Sequence, residues 1–284
     1  MTKKNVLITG GTRGLGRHLV TSFWEEGYSV AILASNKIGL NSILKSLKSR
    51  KNQKKIILKC DLGNAKMISS ITQIIKDEFT HLDVLINNAA VQGPIGHFSK
   101  MADADWDKVI NINLKAPIYL CRNLLPMLKN SSSPSIINIS GGGASAPREN
   151  FSPYALSKTA LVRFSEIIAE ELSDQNIKVN CIAPGMMPTD MVREILNENN
   201  EPGINEVTKA NKVLIDQKYS FEKVSNLALF LASDESRGIT GKLISAVWDN
   251  WSNWPNHLSE LNNLDLYTLR RITSRDKGLD WGDY

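Results

Sequence analysis

Several things are scarce in this sequence, and each scarcity excludes a class of function. No apolar run in its 284 residues approaches the roughly 20 residues needed to span a bilayer. Lys3 and Lys4 lead straight into Val6-Leu7-Ile8, without the apolar core and cleavage site of a secretory leader. The three cysteines, Cys60, Cys121 and Cys181, are odd in number and far apart. They read as buried thiols in a reducing compartment rather than a disulfide frame. The four histidines, His18, His81, His97 and His257, include no ligand-spaced pair, so no metal site is expected and metal hydrolysis is unsupported. No G-x-S-x-G elbow is present, which argues against a serine hydrolase. No repeat, low-complexity tract or Pro/Gly-rich linker divides the chain. A cytoplasmic protein without membrane contact is expected.

What is present describes an ordinary globule, with 42% hydrophobic and 22% charged residues. The net charge of +5 suits an anionic ligand but is too weak to argue for nucleic acid. The basic run Lys48 to Lys55 reads as a solvated helix end and connection. Apolar runs that predict strands (Asn5 to Thr9, Ser29 to Ala34, Lys55 to Cys60, Leu82 to Ile86, Ile136 to Ile139, Ile177 to Ile182, Leu243 to Val247) alternate with helical patterns. Those helices are expected up to about Glu26, at about Gly39 to Ser49, from near Asn64, at about Asp103 to Lys129, from Tyr154, and at Phe221 to Ala232. Such alternation means an α/β fold with a parallel sheet covered on both faces.

The first strand runs into Thr9-Gly10-Gly11-Thr12-Arg13-Gly14-Leu15-Gly16 and then a helix. Glycines let backbone approach a ligand closely, and the N–H groups of a helix start attract phosphate. The spacing is G-x-x-x-G-x-G rather than G-x-G-x-x-G. At the end of the second strand, where an acidic residue would hold the adenosine ribose of a dinucleotide, stands Ala34-Ser35-Asn36-Lys37. No carboxylate is there to repel a 2′-phosphate, and Arg13 and Lys37 can neutralise one, so NADP(H) is favoured over NAD(H). Asp61, before Leu62, either accepts from an adenine amino group or caps the helix near Asn64. Asn87-Asn88-Ala89-Ala90 permits close cofactor approach or simply makes a turn. Asn113 lies mid-helix, where an asparagine either faces water, bonds back to the helix, or holds a relay water.

The central stretch is Ser135 to Lys158. Ser140 ends an apolar strand, Gly141 to Gly143 follow, and Tyr154 and Lys158 stand four apart on one helical face with Leu161, Val162, Ser165, Ile168 and Ala169. An ammonium favours an ionised phenol, so Tyr154 is a candidate to give or take a proton at a carbonyl or alcohol.

Together the glycine loop, Asp61-Leu62, Asn87 to Ala90, Asn113, Tyr154-x-x-x-Lys158 and Pro184-Gly185 resemble the short-chain dehydrogenase/reductase superfamily, over residues 5 to about 247. The resemblance implies a Rossmann-type, doubly wound fold with about seven parallel strands, and hydride transfer between a nicotinamide dinucleotide and a carbonyl or alcohol. It makes Tyr154 the proton donor or acceptor. Lys158 would lower its pKa and hold the nicotinamide ribose, and Asn113 would anchor the relay water. It places Gly10, Thr12, Arg13, Gly14, Leu15 and Gly16 around the pyrophosphate and adenosine end, with Ser35 and Asn36 beside them and Asp61 and Leu62 at the adenine. Asn88 would meet a ribose, and Pro184, Gly185, Met187 and Thr189 the nicotinamide. Pairing through helices at about 103 to 129 and 154 to 172 is implied, giving a homodimer or homotetramer.

Two departures stand out. The usual catalytic Ser lies 13 positions before the Tyr, which here is Gly141. Either Ser140 reaches the substrate oxygen through the flexible glycine triplet, the favoured reading, or the hydroxyl is absent. Beyond the domain expected at 1–247, a C-terminal extension, 248–284, carries Trp248, Trp251 and Trp254 at three-residue spacing, then Arg270, Arg271, Arg275 and Lys277. Its aromatics either dock the extension on the domain or a partner subunit, or form a lid over a sugar-like, anionic ligand. The expected function is an NADP(H)-dependent oxidoreductase of a ketone or secondary alcohol; the alternative is a dinucleotide-binding sensor or scaffold.

Overall fold

Five of the seven apolar runs form strands buried on both faces, which leaves a continuous hydrophobic pattern rather than an alternating one, while the two at the sheet edges are only partly buried. The computed structural model describes residues 3–216 and 220–281; Tyr219 of the variable region and Gly282 to Tyr284 of the tail lie outside the described residues. The strands are β1 (Asn5–Thr9), β2 (Ser29–Ala34), β3 (Lys55–Lys59), β4 (Val84–Asn87), β5 (Ser135–Ile139), β6 (Lys178–Ala183) and β7 (Leu243–Ser245). All neighbours pair parallel, in the order β3-β2-β1-β4-β5-β6-β7. The order reverses between β1 and β4, and open α/β sheets bind ligands at such a switch point, beyond the carboxyl ends of the strands.

The helices are α1 (Gly14–Glu25), α2 (Lys37–Ser46), α3 (Ala65–Glu78), α4 (Asp103–Ile110), α5 (Ala116–Lys129), α6 (Ser152–Glu171), α7 (Asp190–Ile195), α8 (Ile204–Ile215), α9 (Glu222–Ala232) and α10 (Leu258–Asn263). Alternation along each strand sorts side chains to two layers. Val6 and Ile8 of β1 pack with Leu19, Phe23, Leu227 and Leu231 of α1 and α9. Leu7 packs with Ile71 and Ile75 of α3 and Leu120 and Leu124 of α5.

Three boundaries differ from expectation, each for a local reason. Helix α2 begins two residues early because the Asn36 side chain accepts from the N–H groups of Ile38 and Gly39, an N-cap. The helix expected at 103–129 is interrupted by a π-helical turn, Asn111–Lys115. Pro117 follows at the start of α5 and has no N–H to give the carbonyl four residues back. The region after β6, readable only as variable, contains α7 and α8 over a separate small core of Ile95, Phe151, Val192, Ile195, Ala210 and Val213.

The tail is joined to the sheet. Trp251 to His257 form 3₁₀ turns, in which residues three apart eclipse. Trp254 is buried against Tyr267, ring centres 4.3 Å apart, and Trp251 packs on Phe230 of α9 at 5.1 Å. The Lys242 ammonium donates to the carbonyls of Leu261 (2.6 Å) and Leu266 (3.1 Å), and the Leu243 N–H donates to the Tyr267 carbonyl at 2.8 Å. Arg270 pairs within the tail with Asp265. Among the described residues no helix is long and apolar enough to cross a membrane.

Trp254→Ala should therefore lower stability by about 3 to 5 kcal/mol, the cost of emptying a buried aromatic site, read as a shift in the urea midpoint. A loss below about 1 kcal/mol would mean that the tail lies loosely on the domain rather than in its core.

Candidate active site

The loops leaving the carboxyl ends of β1, β2, β4, β5 and β6 converge on one cavity of about 860 Å³. The glycine loop forms one wall. Gly10 has φ +68, and a Cβ at Gly16 would overlap the Gly10 carbonyl, so this tight passage from strand to helix admits only glycine there. Thr12, Arg13, Gly14 and Leu15 line the same wall, and Ser35, Asp61, Leu62 and Asn88 continue it. Pro184, Gly185, Met187 and Thr189 face them from the loop after β6.

At the far end, β5 and α6 bring the chemistry together. Pro153 suits the first turn of α6, where no helical N–H is lost. The helix then buries Tyr154, Lys158, Leu161, Val162, Ser165, Ile168 and Ala169 on one face. The Lys158 ammonium, only 2% exposed, donates to the Ile139 carbonyl at the end of β5 at 2.7 Å and stands 5.7 Å from the centre of the Tyr154 ring. Burial disfavours its charge and lowers its pKa to about 8. Burial also moves the Tyr154 phenol, but upward, with the nearby Arg148 guanidinium opposing that rise. The fall expected for Tyr154 is thus not what the protein alone produces, because desolvation outweighs the Arg148 charge.

Opposite the phenol stands Gly141: a Cβ there would overlap the Tyr154 hydroxyl. Ser140 lines the cavity, and its hydroxyl is buried without a partner among the described residues. Gln92 likewise lines the cavity with a buried, unpartnered amide nitrogen. Neither the serine's isolation nor the glutamine had a sequence signal.

Three asparagines do structural work that the motif did not suggest. The Asn113 amide donates to the Val91 carbonyl (2.8 Å) and the Ser157 hydroxyl (3.1 Å), while its oxygen accepts from the Val91 N–H (2.9 Å). The side chain is thereby spent on clamping the loop after β4 to α6. What the π-helical turn and Pro117 leave without an α-helical donor is the Asn113 backbone carbonyl. The Asn88 amide donates to the Thr9 carbonyl at 2.8 Å, stitching β4 to the glycine loop. Asn36 caps α2 and does not line the cavity. Nor does Lys37, the first residue of that helix.

Arg13 reaches across the cleft to Asp190, at 3.0 Å, at the start of α7. Of the three neighbouring tryptophans only Trp248 borders the cavity, with 86% of its surface exposed. None of the tail's arginines lines it. Arg148 does, and no motif announced it. Among the described residues no cluster of His, Cys, Asp and Glu is suited to a metal.

A short chain dehydrogenase family model matches residues 4–200. The chain is 33% identical over 248 residues to the 3-oxoacyl-(acyl-carrier-protein) reductase FabG of Chlamydia trachomatis, covering 86% of this chain and 96% of that one. Among solved structures it resembles YwfH, an NADPH-dependent reductase involved in bacilysin biosynthesis, with a TM-score of 0.76 and 26% identity over 88% of this chain and 98% of that one. A short chain dehydrogenase from Escherichia coli CFT073 in complex with NADPH has a TM-score of 0.74 and 25% identity, over 87% and 98% of the two chains. With the sheet order, the glycine loop and the Tyr154–Lys158 pair, these matches show that the chain belongs to the short-chain dehydrogenase family of NAD(P)-dependent oxidoreductases.

Proposed function

We propose that this protein reduces a ketone to a secondary alcohol with NADPH, Tyr154 giving the proton. The observation that supports it above others is the burial of Tyr154 and Lys158 in the cavity whose other end is the glycine loop. The wall fits a dinucleotide: Gly10 and Gly16 leave backbone where a side chain would intrude, and Asp61 stands toward the adenosine end. No carboxylate follows β2 at Ser35, and Arg13 lies in the wall, which supports NADP(H). NADPH in the name of one relative and in the complex of another points the same way.

When bound, the nicotinamide supplies hydride to the carbonyl carbon. The remaining work falls to the chain. Tyr154 keeps its proton at neutral pH, because burial raises its pKa, and releases it to the carbonyl oxygen as that oxygen gains charge. Lys158, held by the Ile139 carbonyl, stabilises the phenolate left behind. We assign the anchoring of a relay water to the Asn113 backbone carbonyl, which lacks an α-helical donor, although Asn113 does not itself line the cavity. Since position 141 carries no hydroxyl, we assign polarisation of the carbonyl to the unpartnered hydroxyl of Ser140.

Relatives named as 3-oxoacyl reductases suggest a 3-oxo thioester, while the exposed Trp248 at the rim supports a sugar-like ketone stacking on its ring. A homodimer or homotetramer through α5 and α6 is supported by Leu156 and Ile167, left exposed on α6. Gly141 favours the second reading, a nucleotide-binding sensor.

Tyr154→Phe should abolish NADPH oxidation across a panel of keto sugars and 3-oxo thioesters while leaving the NADPH dissociation constant within about threefold. Undiminished turnover removes Tyr154 from the reaction, and tight NADPH binding by the parent with no oxidation by any ketone selects the sensor. Ser140→Ala should lower kcat by about 100-fold, the loss typical of one oxyanion donor; an unchanged kcat shows that its hydroxyl is not used.

The pH profile has a defined sign. Lys158 is charged below its pKa of about 8 and loses the charge as pH rises through it. The reduction rate should accordingly be level below that point and fall above it. Lys158→Met should be slow throughout and lack that limb. A limb that persists in Lys158→Met belongs to another group.

A further inference from the structure

Arg148 stands six residues before Tyr154 in the loop between β5 and α6. Its side chain is 12% exposed and that of Glu206, on α8, 14%. The guanidinium Nε and Nη2 both donate to one Glu206 carboxylate oxygen, at 3.1 and 2.6 Å. Its other side stacks on Phe151, with Cζ 3.6 Å from the ring centre. Held between these two, Cζ lies 5.8 Å from the centre of the Tyr154 ring, almost the distance of the Lys158 ammonium at 5.7 Å.

The two cations flanking the phenol are not equivalent. Lys158 can shed its proton within the working pH range, whereas a guanidinium stays charged. A largely buried ion pair contributes little net stability once desolvation is counted, so the placement of this pair beside the reacting group is its more consequential property. The charged neighbours of Tyr154 are Lys158 on its own helix, Arg148 on the preceding loop and, beyond Arg148, Glu206 and Lys209 on α8. Arg13, Asp61, Asp190 and Arg193 share the cavity wall.

We propose that Arg148 is a positioning residue for proton transfer: latched by Glu206, it presents to Tyr154 a permanent positive charge whose place depends on the seating of α8. The inference rests on the reading of Tyr154 as proton donor. In the reduction the Tyr154 O–H bond breaks, its proton goes to the substrate oxygen, and the electron pair stays on the phenolate oxygen while hydride from NADPH completes the alcohol. Arg148 acts on the phenolate left behind. Because Glu206 is carried by α8, whose Ala210 and Val213 pack in the small core with Phe151, a substrate that seats α8 also fixes the charge.

The test reads the phenol directly. The ultraviolet band of tyrosinate is titrated in the full-length protein with NADP⁺, and Tyr154→Phe identifies the component due to Tyr154. Arg148→Met should raise the apparent pKa of that component by about one unit, a tenfold loss of phenolate at a given pH. Arg148→Lys should recover most of that change. Glu206→Gln, which removes the negative partner and keeps the guanidinium, should leave the pKa level or lower it. A purely structural latch predicts a rise of equal size on removing either partner. That result, or no shift in Arg148→Met, overturns the proposal. Undiminished NADPH oxidation by Tyr154→Phe is the separate result that removes the proton-donor reading, and this inference with it.

Discussion

A buried ammonium hung from a backbone carbonyl is the constraint on which the site depends. Lys158 has no carboxylate partner among the described residues; what holds it is the Ile139 carbonyl, at the point where β5 stops pairing. Its pKa falls from 10.5 to about 8 on burial, which corresponds to about 3 kcal/mol of destabilisation while the group is charged. The sign follows from proton binding: between those two values the unfolded chain holds the proton more firmly than the folded one, so stability rises with pH across that window. At neutral pH the fold carries the full cost. It is offset by the two-layered core on either side of the sheet, and it keeps a cation beside the phenol proposed as proton donor.

The same burial explains why one cation is not enough. In the closed pocket the phenol is pushed toward its neutral form, which suits a donor in reduction but makes the departing proton expensive. The side of the pocket where a serine hydroxyl would share that load is Gly141, and the phenol lies so close that a side chain there would have to displace the Tyr154 hydroxyl. A guanidinium held from a different element, by Phe151 and Glu206, answers the deficit without occupying the same space. The price of that solution is a dependence on α8, the helix whose core is separate from the main one.

The parts of this arrangement that were legible in the sequence are those set by local periodicity. Apolar runs marked the strands to within a residue or two, and Tyr154 and Lys158 at helical spacing with five further buried residues marked the face of α6. What was not legible depended on contacts distant in sequence. Helices α7 and α8 are short, and their apolar residues are satisfied by Ile95 and Phe151 rather than by the sheet, so no long pattern announces them. For Asn36, Asn88 and Asn113 the sequence does not decide between a ligand-facing and a local structural role, whereas in the fold their side chains meet backbone partners near at hand, as buried or terminal amides generally must. Arg148 had no signature because its meaning comes from Glu206, 58 residues away.

The tail shows how the two kinds of legibility meet. Three tryptophans at three-residue spacing suggested a single helical face, and in 3₁₀ turns Trp251 and Trp254 do lie on the core side. Trp248 precedes those turns, however, and its direction is set by the turn after β7, where the Ser245 hydroxyl accepts from the Trp248 N–H (3.1 Å) and the Asp249 carboxylate from the Ser245 N–H (2.7 Å). One segment thus divides its aromatics between the core and the cavity rim. Beyond it, the Tyr267 carbonyl takes the Leu243 N–H on the outer side of β7, a strand edge that would otherwise offer unpaired groups to another chain. The exposed ring at the rim is then a consequence of how the edge is closed: the chain must turn sharply after β7 to reach it, and Trp248 occupies that turn beside the cavity.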